Sequence, residues 1–267
     1  MSSTVRFAMK NSTVCYLFFC LFWMGRAFSA DPAPASPASA QDAPTEWEFS
    51  VTPYLWATGL SGKTSQFHLP TVDIDASFDK IFDDLNFAAM VIGDARKGRY
   101  SVFGDVIYTD ISSDGASPRG VLATSADVKA TTFAGMIGVG YSVLKTSPHH
   151  LDLVAGARVW SVDTEVSFSG GVLHGRKRSD SATWVDALVG LRGIYAFNSK
   201  FYATGWGLIG AGGADLDWDV GLGFGYHFND RFSATFGYRA LGVDYRQGSF
   251  VFDVVQKGPM AGLTIRF

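Results

Sequence analysis

The stretch Asp217-Trp218-Asp219-Val220-Gly221-Leu222-Gly223-Phe224-Gly225-Tyr226-His227-Phe228 alternates without a break. Val220, Leu222, Phe224, Tyr226 and Phe228 fall on one side, and Asp217, Asp219, Gly221, Gly223, Gly225 and His227 on the other. A period of two belongs to an extended strand, whose successive side chains point to opposite faces. In a soluble sandwich the polar side would meet water. In a small barrel it turns inward, and glycine there relieves crowding. A strand that crosses a bilayer at a tilt needs about ten residues, which this segment supplies.

The same pattern repeats along the chain. Residues 46–58 put Trp47, Phe49, Val51 and Leu55 outside and Glu48, Ser50, Thr52 and Tyr54 inside. Similar alternation covers 86–96, 99–111, 129–143, 150–163, 184–197, 232–245 and 256–267, while 201–212 is strand-like but too rich in glycine to assign faces. The count is ten, an even number as single-chain bacterial barrels require; eight and twelve remain open. The spacers alternate in length. Short turns lie at 97–98, 145–149, 198–200 and 229–230, and longer polar stretches at 59–85, 113–128, 168–183 and 246–255. Short periplasmic turns and longer outer loops are the expected asymmetry, which puts both termini in the periplasm. The expected fold is therefore all-β, a transmembrane antiparallel up-and-down barrel with a short helix in its first outer loop. Aromatics near the strand ends, Trp47, Trp56, Tyr100, Tyr108, Tyr141, Trp160, Trp184, Phe197, Phe201, Trp218, Phe228 and Phe232, are expected to form interfacial girdles.

The N-terminus is of another kind. Arg6 and Lys10 precede an apolar run from 14 to 24, too short to span a bilayer as a helix, and Ala27-Phe28-Ser29-Ala30 follows. Together these read as a secretory signal peptide over 1–30. Residues 31–45 hold four of the nine prolines and nothing that builds a core, so a disordered periplasmic lead is expected before a barrel over 46–267. Both cysteines, Cys15 and Cys20, lie in the signal, so the exported chain has no disulfide and no thiol chemistry. Three basic and no acidic residues leave with it, so 19 Lys+Arg face 25 Asp+Glu in the remainder. That acidity argues against nucleic acid, which selects a basic patch.

At the other end Ala261, Leu263, Ile265 and Phe267 alternate with Gly262, Thr264 and Arg266. A last strand with terminal Phe267 resembles the signal by which barrel-assembly machinery recognises outer-membrane barrels. The first strand, Trp47-Glu48-Phe49-Ser50-Val51-Thr52-Pro53-Tyr54-Leu55-Trp56-Ala57-Thr58-Gly59-Leu60-Ser61-Gly62, with an acidic segment at 72–85 and the strands at 86–108, resembles a largely uncharacterised group of small proteobacterial outer-membrane barrels, with OmpA- and OmpW-like proteins as wider relatives in architecture. The resemblance implies fold and location, and no reaction.

The strand faces gather Glu48, Asp94, Arg96, Asp105, Arg158, Asp186, Arg192, Asp219 and Arg239 inside. Charges in a low-dielectric lumen should pair. They would serve either a narrow, charge-selective pore or a structural network, and a ten-stranded barrel leaves little room beyond its own side chains, which favours the network. Asp73, Asp75 and Asp79 partly mimic a calcium loop, but Phe78 stands where such a loop turns on glycine. The alternative there is a strand followed by a helix over 78–85 capped by Ser77, with Phe78, Ile81 and Phe82 tucked into the barrel mouth. His174, Arg176, Lys177 and Arg178 form a basic outer-loop cluster that either meets lipopolysaccharide phosphates or is solvated. The mature histidines, His68, His149, His150, His174 and His227, lack a serine motif, so no catalytic site and no cofactor are expected. The expected role is structural or that of a narrow pore. The alternatives are lipid or host binding through 59–85 and 168–183, and, more remotely, a lipid-modifying enzyme.

Overall fold

The computed structural model describes residues 46–267 apart from 68–69, 117–124, 147 and 172–173. The signal and lead at 1–45, and His68, lie outside the described residues. In order come β1 (Glu48–Trp56), β2 (Gly59–Ser65), β3 (Val72–Ala76), α1 (Phe78–Asp83), β4 (Leu85–Lys97), β5 (Tyr100–Ala116), β6 (Ser125–Thr146), β7 (His149–Ser169), β8 (Lys177–Ala196), β9 (Phe201–Gly212), β10 (Leu216–His227), β11 (Phe232–Gln247) and β12 (Phe250–Arg266). From β4 to β12 each strand pairs antiparallel with the next. β1 pairs with both β4 and β12, which closes ten strands into a barrel. Closure leaves no long edge, the condition for a sheet surrounded by lipid. The amide of Phe267 meets the Phe49 carbonyl at 2.9 Å, so both ends of the barrel chain sit at the short-turn end.

Each segment with alternating side chains is a strand, and the faces follow its parity. Leu55, Ile137, Phe224 and Phe236 point outward and are 78%, 66%, 63% and 66% exposed. Exposure of this extent over a contiguous band marks contact with lipid rather than water. Tyr100 and Tyr141 pack together at the short-turn margin of that band, with ring centroids 5.4 Å apart. Trp218 stays outward by lying across Gly242, where a Cβ would stand 2.3 Å from its Nε1. Trp56, Trp160 and Trp184 depart from the expected girdle: they point inward and are buried.

The long polar stretches are mostly not loops. β6, β7 and β8 run for 22, 21 and 20 residues, about twice what a bilayer requires, so the wall continues beyond the apolar band as a polar collar. On its outer face Lys129 meets Asp110 at 3.0 Å and lies opposite Glu165, which meets Lys177 at 2.8 Å. Four strands thus carry charges of alternating sign. The Asn86 amide, then Lys129, hold the Asp110 carboxyl below the ordinary range.

The first long stretch, 59–85, continues the sheet. β2 extends the line of β1 along β12, from Leu60 opposite Gln256 to Ser65 opposite Val251, and β3 pairs with β2. Helix α1 follows where expected, but Ser77 makes no side-chain cap bond; its carbonyl accepts the Ile81 amide at 3.1 Å. The helix does not tuck into the mouth: Phe78 and Phe82 are exposed and pack on each other at 5.6 Å. Asp73 and Asp75 stand on paired strand β3 and Asp79 on α1, so the calcium-loop reading is corrected: these residues form a strand and a helix, not a loop wrapped around a cation. Among the described residues no group of three or more His, Cys, Asp or Glu is placed to hold a metal.

A closed barrel of this kind resists detergent until heated. Unboiled protein is expected to migrate at a different gel position from boiled protein; identical mobility would contradict the closed ten-strand wall.

Candidate functional site

The barrel interior divides into three zones along its axis, and the middle one is built around charge. Arg239 on β11 is 1% exposed. Its Nε donates to Asp219 Oδ1 at 3.1 Å and its Nη1 to Tyr54 Oη at 2.8 Å; Nη2 donates to Asp105 Oδ2 and Asp219 Oδ2, both at 2.6 Å. Tyr54 in turn donates to Asp105 Oδ1 at 2.8 Å. Arg158 on β7 donates to Asp217 and, at 2.7 Å, to Asp219, so Asp219 bridges two guanidiniums. Indoles complete the acids' partners: Trp160 Nε1 donates to Asp217 at 2.9 Å and Trp206 Nε1 to Asp219 at 2.8 Å. Taking such ions out of water is tolerable only when they are paired and hydrogen-bonded, as here.

Toward the long-strand end the lumen is apolar and filled. Trp184 stacks on Tyr245 at 3.9 Å and on Trp160 at 5.9 Å, and Phe252 closes edge-on against Trp160 at 6.3 Å. Trp56, Leu241, Val243 and Val254 belong to the same cluster. The Arg239 guanidinium lies 5.2 Å from the Trp56 ring, so the plug rests on the charge layer by cation–π contact. Beyond the plug the Phe67 amide, on the link after β2, reaches Asp180 on β8 at 2.6 Å.

Toward the short-turn end the lumen is open. A cavity of about 730 Å³ runs from Arg239 to a rim that includes Asp230, Arg231 and Phe267. Its walls include Ile92, Phe103, Met136 and Leu208. Glycines on β10 make this space. A Cβ at Gly221 would stand 2.3 Å from the Trp206 ring and one at Gly225 2.0 Å from the Tyr202 ring. Both rings therefore lie against the wall instead of crossing the lumen.

The nine expected lumen charges fall into separate groups. Asp105, Arg158, Asp219 and Arg239 come together in the middle layer. Asp94 and Arg192 approach to 2.7 Å without aligned hydrogen-bond geometry, and the Arg192 guanidinium sits 5.0 Å from the Phe103 ring. Arg96 pairs with Asp152. Glu48 stands exposed at the rim without an ion pair among the described residues. Asp186 lies directly opposite Arg158 in register yet does not pair with it: its oxygens take the Trp184 indole at 3.0 Å and the Ala214 amide at 2.8 Å. Tyr54, Asp152, Asp217 and His150 are network members beyond those nine. The parity of their strands marks the first three, and His150 follows the turn expected at 145–149 and lies on β7.

One cluster has the residue types of a hydrolase. Ser142 Oγ donates to Asp152 Oδ1 at 2.5 Å, and Arg96 reaches Ser142 Oγ at 2.9 Å and His150 Nε2 at 3.0 Å. The serine points at the acid rather than the imidazole and is fully buried, so no base faces a nucleophile. At the other end of the barrel the basic cluster is partly spent. Lys177 pairs with Glu165, and His174 Nδ1 accepts the Gly170 amide at 3.0 Å; Arg176 and Arg178 are exposed without ion pairs among the described residues.

No family model matches the chain, and no curated protein matches it. Among solved structures, the outer membrane protease OmpT from Escherichia coli superposes with a TM-score of 0.55 at 12% identity, over 86% of this chain and 99% of that one. This is an outer-membrane β-barrel fold. Ail, the attachment invasion locus protein of Yersinia pestis, aligns at 14% identity with a TM-score of 0.36 over 83% of this chain and 99% of its own. Neisserial surface protein A aligns at 12% identity with a TM-score of 0.33 over 83% and 97%. At 12% identity the likeness to OmpT carries the fold and no reaction.

Arg239→Ala would leave Asp105 and Asp219 buried without their shared cation. It is expected to lower unfolding stability by about 3–5 kcal/mol, whereas Arg246→Ala, at the exposed pairs with Asp244 and Asp253, changes it by less than about 1 kcal/mol. Urea titration of heat-modifiability compares the two; equal effects would contradict the charge layer's role.

Proposed function

We propose that the protein is an integral outer-membrane barrel, with its short-turn end and both termini in the periplasm, whose lumen is a blind cup that holds a ligand and does not conduct. The observation that carries this reading is the filled aromatic layer of Trp160, Trp184, Tyr245 and Phe252 above a charge layer whose arginines are paired with carboxylates, while the cavity below opens at the short-turn rim. The asymmetry of turns and long strands supports the orientation. The terminal strand ending in Phe267 fits handling by the barrel-assembly machinery, and the outward apolar band fits contact with membrane lipid and lipopolysaccharide. No enzymatic step is part of this reading.

A surface-binding role has its own support. Phe78 and Phe82 project from α1, and Arg176 and Arg178 stand exposed at the collar without ion pairs among the described residues, which suits lipid and phosphate contact at the outer surface. The stretch 168–183 offers less surface than a loop would, because 177–183 is strand.

Planar-bilayer recording of the purified barrel decides between cup and pore. A silent bilayer with protein shown to be folded by its heat-shifted mobility is the expected result. Discrete, reproducible steps from the unaltered protein would overturn the blind cup in favour of a narrow pore.

A further inference from the structure

The chemistry of the cup's ligand follows from which of its polar groups are already spent. At the floor, Arg239, Asp105, Asp219 and Tyr54 saturate one another, and the Trp206 indole is committed to Asp219. The threonine and tyrosine hydroxyls of the wall are also engaged: Thr52 with Thr264 at 2.9 Å, Tyr202 with Thr235 at 2.7 Å, and Thr204 with the Gly193 carbonyl at 3.3 Å. Of the charged residues in the wall, Arg96 is paired with Asp152, and Asp94 and Arg192 face each other at 2.7 Å, so a polar ligand group carried to the floor would leave water and find few partners, a loss rather than a gain. An apolar group would cover Ile92, Phe103, Met136 and Leu208 and gain from their burial. The cavity volume lies within the usual range for a small-molecule site, and the depth from Arg231 to Arg239, eight residues along a tilted strand, is roughly 20 Å. The space is therefore long, narrow and apolar at its blind end.

The rim is different. Lys145 and Arg266 are half-buried there without an acidic partner among the described residues; Lys145 Nζ donates to the Gly98 carbonyl at 2.7 Å and Arg266 Nη2 to Ser233 Oγ at 3.1 Å. The acids at the same rim, Glu48 and Asp230, are exposed to solvent. Spare donors on half-buried cations favour a negative group beside them.

We infer that the cup takes a single-chain amphiphile with an anionic head, its apolar chain inserted toward Arg239 and its head held at the rim by Lys145 and Arg266. The inference rests on the blind-cup reading and adds the ligand's class to it. A free fatty acid supplies a carboxylate head and a lysophospholipid a phosphate head, and the geometry at the rim accommodates either oxyanion.

The test titrates the whole barrel, purified from outer membranes and held in amphipol, with the fluorescent polyene acid parinarate, whose emission rises in a dry apolar site. Saturable binding is expected. Palmitate and hexadecyl phosphate should displace it, and their relative strength separates the two sources of head group. Hexadecyltrimethylammonium should displace it at least about tenfold less well. Met136→Trp and Thr204→Phe each fill the cavity and should abolish binding in protein that still shows heat-shifted mobility. Lys145→Gln with Arg266→Gln should weaken palmitate about tenfold and leave hexadecanol unchanged. Absence of saturable binding, binding indifferent to both filling variants, or equal displacement by the cationic amphiphile would overturn the inference. A barrel that binds nothing yet stays silent in the bilayer sinks the ligand class alone; a conducting barrel sinks the cup as well.

Discussion

The guanidinium of Arg239 is buried at the middle of the barrel, and neutralising it organises everything else in the lumen. One cation there needs acids on other strands, and Asp105 on β5 and Asp219 on β10 supply them. Asp219 then requires a second cation, which brings in Arg158, and Arg158 engages Asp217. Strands that are distant in the wall are thereby tied across its interior. A solute passing along the axis would have to break these bonds and leave buried ions unpaired, at a cost of several kcal/mol for each partner lost. The layer is at once a cross-brace and a floor.

What lies on each side of this layer depends on side-chain volume. On the long-strand side, large inward residues at successive inner positions meet across the axis and fill it, with Trp184 and Tyr245 face to face. On the short-turn side β10 places glycine at three successive inner positions, 221, 223 and 225, and the aromatic rings of β9 settle onto two of them. The same barrel diameter therefore gives a plug at one end and a cup at the other. Closed packing and open space are both written in the choice of residues at inward positions, not in strand number.

Much of this was legible in the sequence. Alternation in 217–228 and its counterparts assigns the ten barrel strands and the inward face of nearly every lumen charge. The three misassigned tryptophans were legible too, had parity outweighed residue type: Trp56, Trp160 and Trp184 stand two residues from Tyr54, Arg158 and Asp186, on the same inward faces. The collar was less accessible. Above the lipid the outer face becomes polar, as at Lys129, Glu165 and Lys177, so both faces of 177–183 look alike and the amplitude of the alternation vanishes. Which acid meets which arginine was beyond reach for a different reason. Asp186 faces Arg158 across neighbouring strands, yet the indole of Trp184 and the amide of Ala214 claim it, while Arg158 reaches across the lumen to β10. Such partnerships depend on three-dimensional competition for each oxygen.

In the proposed cup the lumen below Arg239 is reached from the periplasm and sealed from the outside. Both native cysteines lie at positions 15 and 20, so a single cysteine placed in the barrel reports its own surroundings without interference from another in the barrel. Thr235→Cys puts a thiol in the cup wall. A maleimide carried on a linear polyethylene glycol chain, too bulky to cross an intact outer membrane, is expected to leave this thiol untouched in intact cells and to modify it once the outer membrane is permeabilised. Modification in intact cells would mean that the plug is open to the outside and would contradict the account.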